Sequence, residues 1–345
     1  MKEGHIQTPF LILSRSLIAK NLQKLSDALP GVAVHYAMKS NNHPAVLKEV
    51  AAAGHSFDIA SFQELSEAIE AGGAAEKMIH SHPIKPPQEI EAAINAGINT
   101  FVVDNVDEIE KFEKYKERVR LLIRFRVDGS DAVVNLSYKF GCEPAEVPIL
   151  ADKMRKSGIA LCGLTFHVGS QCTSPEIYLR AIDTAAALID RLNDLGFNID
   201  LLDIGGGFPV AYTDKLPPIR EFCRPIRKAL VELVDPRIAI ACEPGRYISA
   251  SAVTLVTSVI GKSRRSNRNW YFLDDGLYGS FSGRLYDHCW YQILTNRNTV
   301  WKRSVLAGPT CDSFDIIYKD ALLPPLEVGD ILMFPSMGAL SLIHI

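Results

Sequence analysis

Between residues 30 and 245 the chain alternates short apolar runs with segments of helical periodicity, and it does so eight times. Parallel strands need crossovers of this kind, and eight β/α units suffice to close a sheet on itself. The spacing predicts strands at Val32 to Met38, Ser56 to Ala60, Lys77 to His80, Thr100 to Val103, Arg120 to Val127, Ala160 to Val168, Leu201 to Ile204 and Ile238 to Cys242. Of the intervening helices, Glu64 to Ala71 opens acidic and stops at Gly72-Gly73, and Pro175 to Leu195 repeats apolar positions at helical spacing before Gly196. The chain is therefore read as α/β, with a (β/α)8 TIM-type barrel over residues 14–247.

After Gly245 the rhythm changes to β-branched, aromatic and turn-rich sequence, with strands expected at Val253 to Ile260, Trp270 to Leu273, Trp290 to Leu294, Val305 to Leu306 and Ile331 to Phe334. The opening Phe10-Leu11-Ile12-Leu13 run has the same character. Residues 1–13 plus 248–345 are accordingly expected to form one β-sheet domain joined by the N-terminal strand. With 345 residues, 47% of them hydrophobic, the chain can fill both cores.

Charge narrows the partners. A net charge of -3 provides no field for a polyanion, and Arg264-Arg265 with Arg268 is a short basic turn, so neither nucleic acid nor a membrane surface is expected. No apolar segment approaches the roughly 20 residues of a membrane span, and Met1-Lys2-Glu3-Gly4-His5 lacks an apolar signal core. The seven cysteines are scattered without a C-x-x-C pair, which fits a reducing cytoplasm. His80 and His82 lack a clustered ligand set, so no metal is expected.

Chemistry in such barrels collects at the carboxyl ends of the strands, and the polar residues at or just past those ends here are Lys39, Asp58, His80, Asp104, Arg124, His167, the Gly205 triplet and Glu243. Lys39 ends an apolar run, where desolvation would ease loss of its proton and leave an amine able to condense with an aldehyde. Gly205-Gly206-Gly207 bare the backbone enough for a phosphate to approach, or serve only as a tight turn. In Glu243-Pro244-Gly245-Arg246, the guanidinium could hold a phosphate and the carboxylate could pair with a protonated ring nitrogen. His167 could lie against a flat ring and Ser170 could reach phosphate. A lysine, a phosphate cradle, a carboxylate and a stacking imidazole together match the needs of pyridoxal 5'-phosphate.

Six ordered motifs span nearly the whole chain: Tyr36-Ala37-Met38-Lys39-Ser40-Asn41, Phe57-Asp58-Ile59-Ala60-Ser61, His167-Val168-Gly169-Ser170, Gly205-Gly206-Gly207-Phe208-Pro209, Glu243-Pro244-Gly245-Arg246 and Gly308-Pro309-Thr310-Cys311-Asp312. The chain resembles the pyridoxal-phosphate-dependent decarboxylases of ornithine, lysine and diaminopimelate, whose barrel is alanine-racemase-like. The resemblance implies that Lys39 attaches the cofactor, Glu243 pairs with its ring nitrogen, and His167 stacks on it. Ser170, the three glycines, Gly245 and Arg246 would hold phosphate, with Asp58 and Arg124 as polar support. It further implies a homodimer with shared active sites, Lys139 salt-bridging across it and Cys311 arriving from the partner to return a proton after carbon dioxide leaves.

The same resemblance places Tyr278, Tyr286, Asp287 and Asp312 against the substrate, the two aspartates facing a distal ammonium. Cys311-Asp312-Ser313 is less like the Cys-Glu-Ser of diaminopimelate enzymes, so ornithine or lysine, giving putrescine or cadaverine in polyamine biosynthesis, is the expected pairing. One methylene of pocket length separates those two, worth roughly 1–3 kcal/mol. Leu340 stands where the family carries a phosphate-contacting tyrosine, and the family continues past the point where this sequence ends. That departure keeps two other readings open: a decarboxylase of a larger amino-acid-headed substrate in natural-product or siderophore synthesis, and a non-catalytic decarboxylase-like regulator.

Overall fold

The computed structural model describes residues 7–127, 139–213 and 215–339. They divide into two compact units, one drawn from Ile18–Pro209 and Leu216–Ile248, the other from Met1–Leu17, Val210–Lys215 and Ser249–Ile345.

Strand β1 (Phe10–Leu13) belongs to the second unit. The first is a closed barrel of β2 (Val32–Ala37), β3 (Ser56–Ile59), β4 (Ile79–His80), β5 (Thr100–Val103), β6 (Arg120–Arg124), β7 (Ala160–Thr165), β8 (Leu201–Asp203) and β9 (Ala239–Cys242). Every neighbouring pair is parallel, and β2 closes the ring on β9 with Val32 opposite Ile240. Inside it Ile79, Val102, Leu122 and Cys162 pack with Leu201, which is why these short strands read as apolar runs. All eight expected strands are present, several shorter at one end. Lys77, expected in β4, instead ends a 3-10 turn over Ala75–Lys77, and Met38 opens another over Met38–Ser40.

The helix expected from Glu64 runs over Phe62–Glu70, because Ser61 Oγ caps it by accepting the Glu64 N–H at 3.2 Å. The long helix is Glu176–Asp194, with Ile177, Ala181, Ile182, Ala185 and Ile189 among its buried stripe. No helix among the described residues is long and apolar enough to cross a membrane.

The second unit is a seven-stranded sheet. Its strands are β10 (Val253–Arg265), β11 (Arg268–Leu273), β12 (Leu294–Thr295), β13 (Lys302–Ala307), β14 (Ile316–Leu323) and β15 (Ile331–Pro335), ordered β12-β15-β10-β11-β13-β14. β1 pairs antiparallel with β10, Phe10 opposite Val256, so the N-terminal run does join this sheet. Leu255, Leu273, Phe281, Leu306, Leu332 and Phe334 form its core. Two expectations fail here. The strand expected at Trp290 to Leu294 shrinks to β12, since Trp290 packs against Tyr318, ring centres 4.6 Å apart and tilted by 48°, with the Arg284 guanidinium over its ring. β14 was not foreseen, because exposed Lys319 and Asp320 break its apolar alternation midway.

Candidate active site

The 3-10 turn over Met38–Ser40 buries Met38 and Ser40 and puts Lys39 just beyond the carboxyl end of β2. Its Nζ lies 3.5 Å from Asp58 Oδ2 on β3, with 44% of the lysine side chain exposed against 2% of the aspartate's. Loss of hydration lowers the proton affinity of this amine, but Asp58 and then Glu243 raise it, and the balance lies above the ordinary lysine value. Desolvation is the largest single influence, and the carboxylates outweigh it only together. The expectation that Lys39 loses its proton easily is therefore overturned for the cofactor-free barrel: carboxylates from other strands outweigh its apolar sequence neighbours.

Burial, with the negative charge of Glu243 second, pushes Asp58 up to about 7 against the pull of Lys39 and a hydrogen bond from Ser81. Glu64, on the helix after β3, accepts the Ala60 N–H at 2.6 Å and is pushed by burial to about 7. Ser81 and Glu64 were not anticipated from sequence. A first-turn glutamate reads as helix capping, and a serine after a two-residue strand reads as loop.

Across the mouth, His167 follows β7 and its Nδ1 accepts the Gly169 N–H at 3.0 Å, which assigns the ring proton to Nε2. Burial, then the charges of Arg124 and Lys39, hold its pKa well below the usual range, so the imidazole is neutral. A side chain at Gly206 would place its Cβ 3.2 Å from His167 Nε2 and 2.4 Å from the Glu243 carbonyl oxygen, so only glycine fits between them. Gly205 and Gly207 take positive φ values of 66° and 106°. Tyr178 steadies the loop by donating to the Gly206 carbonyl at 2.7 Å. Beside it, Arg246 donates to Ser170 Oγ from Nε at 3.3 Å and from a terminal nitrogen at 3.1 Å. Gly245 is also restricted, as a Cβ there would sit 2.8 Å from that of Ser40.

Glu243 is buried, with Oε1 lacking any hydrogen-bond partner, and its carboxyl is held well above the usual range by burial and by nearby Asp203. A recess lined by Ser81, Arg124, Phe166, His167 and Glu243 opens at this end of the barrel. Lys39, Asp58, Arg124, His167, Ser170, Gly205 to Gly207, Glu243, Gly245 and Arg246 thus all lie at the carboxyl ends of the barrel strands. Among the described residues no group of three or more histidine, cysteine, aspartate or glutamate side chains could hold a metal ion.

The second unit carries the remaining expected residues. Cys311 is exposed, Tyr278 is 62% and Tyr286 70% exposed, and Asp287 is buried. The Tyr278 hydroxyl donates to Asp312 Oδ2, and Asp312 Oδ1 accepts the Phe314 N–H at 2.9 Å. Asp315, not singled out from sequence, accepts from Leu277 N at 2.7 Å and from Thr310 Oγ1 at 2.8 Å, tying the Tyr278 loop to the Cys311 loop. The exception is Lys139, which belongs to the barrel unit; it is exposed, its Nζ 4.9 Å from the centre of the Phe140 ring. Leu340 lies outside the described residues.

An amine at a strand end, an unpartnered buried carboxyl oxygen, a glycine loop and an Arg–Ser pair fit the aldehyde, ring nitrogen and phosphate of pyridoxal 5'-phosphate, and define the barrel as that of a pyridoxal-phosphate enzyme. The family model for the pyridoxal-binding domain of pyridoxal-dependent decarboxylases matches residues 15–250. The chain belongs to this family of pyridoxal-dependent decarboxylases. It is 37% identical over 335 residues to the lysine/ornithine decarboxylase of Selenomonas ruminantium, covering 97% of this chain and 85% of that protein. With the ornithine decarboxylase of Mus musculus it shares 35% identity, over 94% of this chain and 74% of the mouse protein. The Vibrio vulnificus lysine/ornithine decarboxylase complexed with putrescine superposes with a TM-score of 0.91 at 42% identity, covering 96% of this chain and 89% of that one. The arginine decarboxylase of Paramecium bursaria Chlorella virus does so with a TM-score of 0.93 at 30% identity, over 97% and 91%.

Proposed function

We propose that this protein decarboxylates a basic L-amino acid, ornithine or lysine, to putrescine or cadaverine with pyridoxal 5'-phosphate as cofactor. The observation that carries the reading is the convergence on one barrel mouth of the Lys39 amine, the unpartnered Glu243 oxygen and the Arg246–Ser170 pair. When bound, the cofactor supplies an electron sink for the bond to the leaving carboxylate. Lys39 would attach it, Glu243 would pair with its ring nitrogen, and the neutral imidazole of His167 would stack on the ring. Ser170, the glycine loop, Gly245 and Arg246 receive the phosphate, while Asp58 and Arg124 orient the amine and the polar edge.

Attachment would require Lys39 to surrender the proton that Asp58, first among its neighbouring carboxylates, helps it hold, and Asp58, pushed up to about 7, is placed to take it. Asp312, fixed by Tyr278, and Asp287 with Tyr286 receive the distal ammonium. Cys311 returns a proton to the α-carbon, contributed by the partner of a cytoplasmic homodimer that Lys139 helps hold. Mass-spectrometric detection of amine products from L-ornithine, L-lysine, L-arginine and meso-diaminopimelate, with excess pyridoxal phosphate, tests this. Putrescine or cadaverine as the main product is expected, and agmatine alone or no amine would overturn it.

A further inference from the structure

The barrel mouth contains two buried carboxyls that these roles do not use, Glu64 and Asp203, and Asp203 is the one beside Glu243. Asp203 closes β8 with none of its surface exposed. Its Oδ1 accepts the Gly205 N–H at 2.9 Å, while Oδ2 is buried without a donor. On the next strand connection Glu243 Oε1 is buried in the same condition, and the two side chains are within hydrogen-bond reach of each other. The backbone holds them there, because Glu243 N–H donates to the Gly205 carbonyl at 2.9 Å. Two carboxylates in contact and away from water do not both ionise, and a single proton between them meets the unmet need on each side.

The surroundings decide which of the two carries it. Lys39 and Arg124 favour negative charge on Glu243, whereas Asp58 opposes it on Asp203. The Thr165 hydroxyl reaches Asp203, and the buried thiol of Cys242, the last residue of β9, stays protonated. Burial is the largest influence on both carboxyls, and the hydrogen bond between them raises the proton affinity of Glu243 while lowering that of Asp203, so without cofactor the proton rests on the Glu243 side. A cation arriving at Glu243 reverses that preference.

We propose that Asp203 and Glu243 share one proton in the cofactor-free barrel, and that Asp203 takes it when the protonated ring nitrogen of pyridoxal phosphate docks, leaving Glu243 anionic. The O–H bond at Glu243 breaks and one at Asp203 forms, while the ring nitrogen brings its own proton from water. Asp203 is thus a positioning residue, a neutral hydrogen-bond donor that keeps Glu243 ionised and aimed at the ring. This rests on the cofactor reading above and adds a residue that touches neither cofactor nor substrate in it.

Infrared difference spectroscopy on the full chain carrying carboxyl-13C aspartate tests it at about pH 8.5, where groups titrating near 7, such as Asp58 and Glu64, are mostly ionised. The cofactor-free protein should show a protonated-carboxyl band that Asp203→Asn removes. Adding pyridoxal phosphate should keep a band but make it isotope-sensitive, as the proton moves to aspartate. No such band, a band that Asp203→Asn leaves in place, or a band lost on cofactor addition would overturn the proposal.

Cofactor titration by absorbance supplies the second readout. Asp203→Asn, whose amide can donate to Glu243, should bind pyridoxal phosphate within about threefold of the parent, and Asp203→Leu at least tenfold more weakly. Equal affinity of the two variants would remove the positioning role. Absence of the lysine-bound cofactor absorbance in the parent protein would overturn the cofactor reading and the proton shift together, whereas the shared proton is decided before any cofactor is added.

Discussion

The barrel mouth and the paired loops of the second unit both carry acidic residues, but they set the state of those residues by different means. At the mouth Asp58, Glu64, Asp203 and Glu243 are buried, and every one of them has its proton affinity raised first by loss of water. In the loops Asp312 is exposed, and the Tyr278 hydroxyl beside it lowers its proton affinity. Burial couples charges brought from several strands, so changing one alters all. An exposed carboxylate with a hydroxyl partner is a nearly independent unit. The barrel is therefore expected to govern cofactor state, and the loops to govern what happens to substrate.

The largest test of that division is Lys39→Ala. Turnover should fall below detection and the absorbance of lysine-bound cofactor should vanish, because no other side chain of the mouth offers an amine at the end of β2. Retention of full activity would sink the proposed chemistry.

Cys311→Ala should break the other side alone. The cofactor absorbance should match the parent protein, while turnover falls by about 10²- to 10⁴-fold, the scale of a lost general acid, and by-products accompany the amine. Absorbance spectra and product analysis read the two separately. A Cys311→Ala protein that has lost its cofactor would show that loop and barrel do not divide the work as argued.

What could be read in advance follows the same line. The eight strands were legible because each is a short apolar run bounded by polar turns, and Lys39, His167 and Glu243 were legible as the residues just past such runs. Asp203 was not, since an aspartate inside Leu-Leu-Asp-Ile reads as part of the approach to the glycines, and only burial beside Glu243 reveals it. The charge on Lys39 was misjudged for a related reason. Its apolar neighbours are adjacent in sequence, whereas the carboxylates that hold its proton lie on β3 and after β9. Tyr178 and Asp315 act through backbone groups of distant loops, and contacts of that kind leave no periodic trace in a sequence.

A middle-sized effect is expected from Asp312→Asn. Losing a charge-assisted hydrogen bond of about 1.5–3 kcal/mol to a distal ammonium should raise KM for ornithine or lysine by roughly 10- to 100-fold. Cofactor affinity should stay put. Steady-state kinetics beside a cofactor titration would separate these, and an unchanged KM would remove Asp312 from the substrate subsite.

The smallest effect is on stability, and its sign follows from burial. The folded-state pKa of Asp58 is raised from 3.8 to about 7, so its contribution is fully present at low pH and is lost as pH rises through the folded value. Glu64, raised from 4.5 to about 7, acts in the same direction over the same window. The cofactor-free protein should therefore lose thermal stability between about pH 4 and pH 7 from this pair. Asp58→Asn removes the larger displacement and the repulsion Asp58 exerts on Glu64, leaving a shallower slope. Tm measured across that window for both proteins reads the difference directly. Parallel curves would mean that Lys39 neutralises Asp58 so fully in the folded state that burial no longer sets its charge, and the barrel mouth would then behave like the exposed loops.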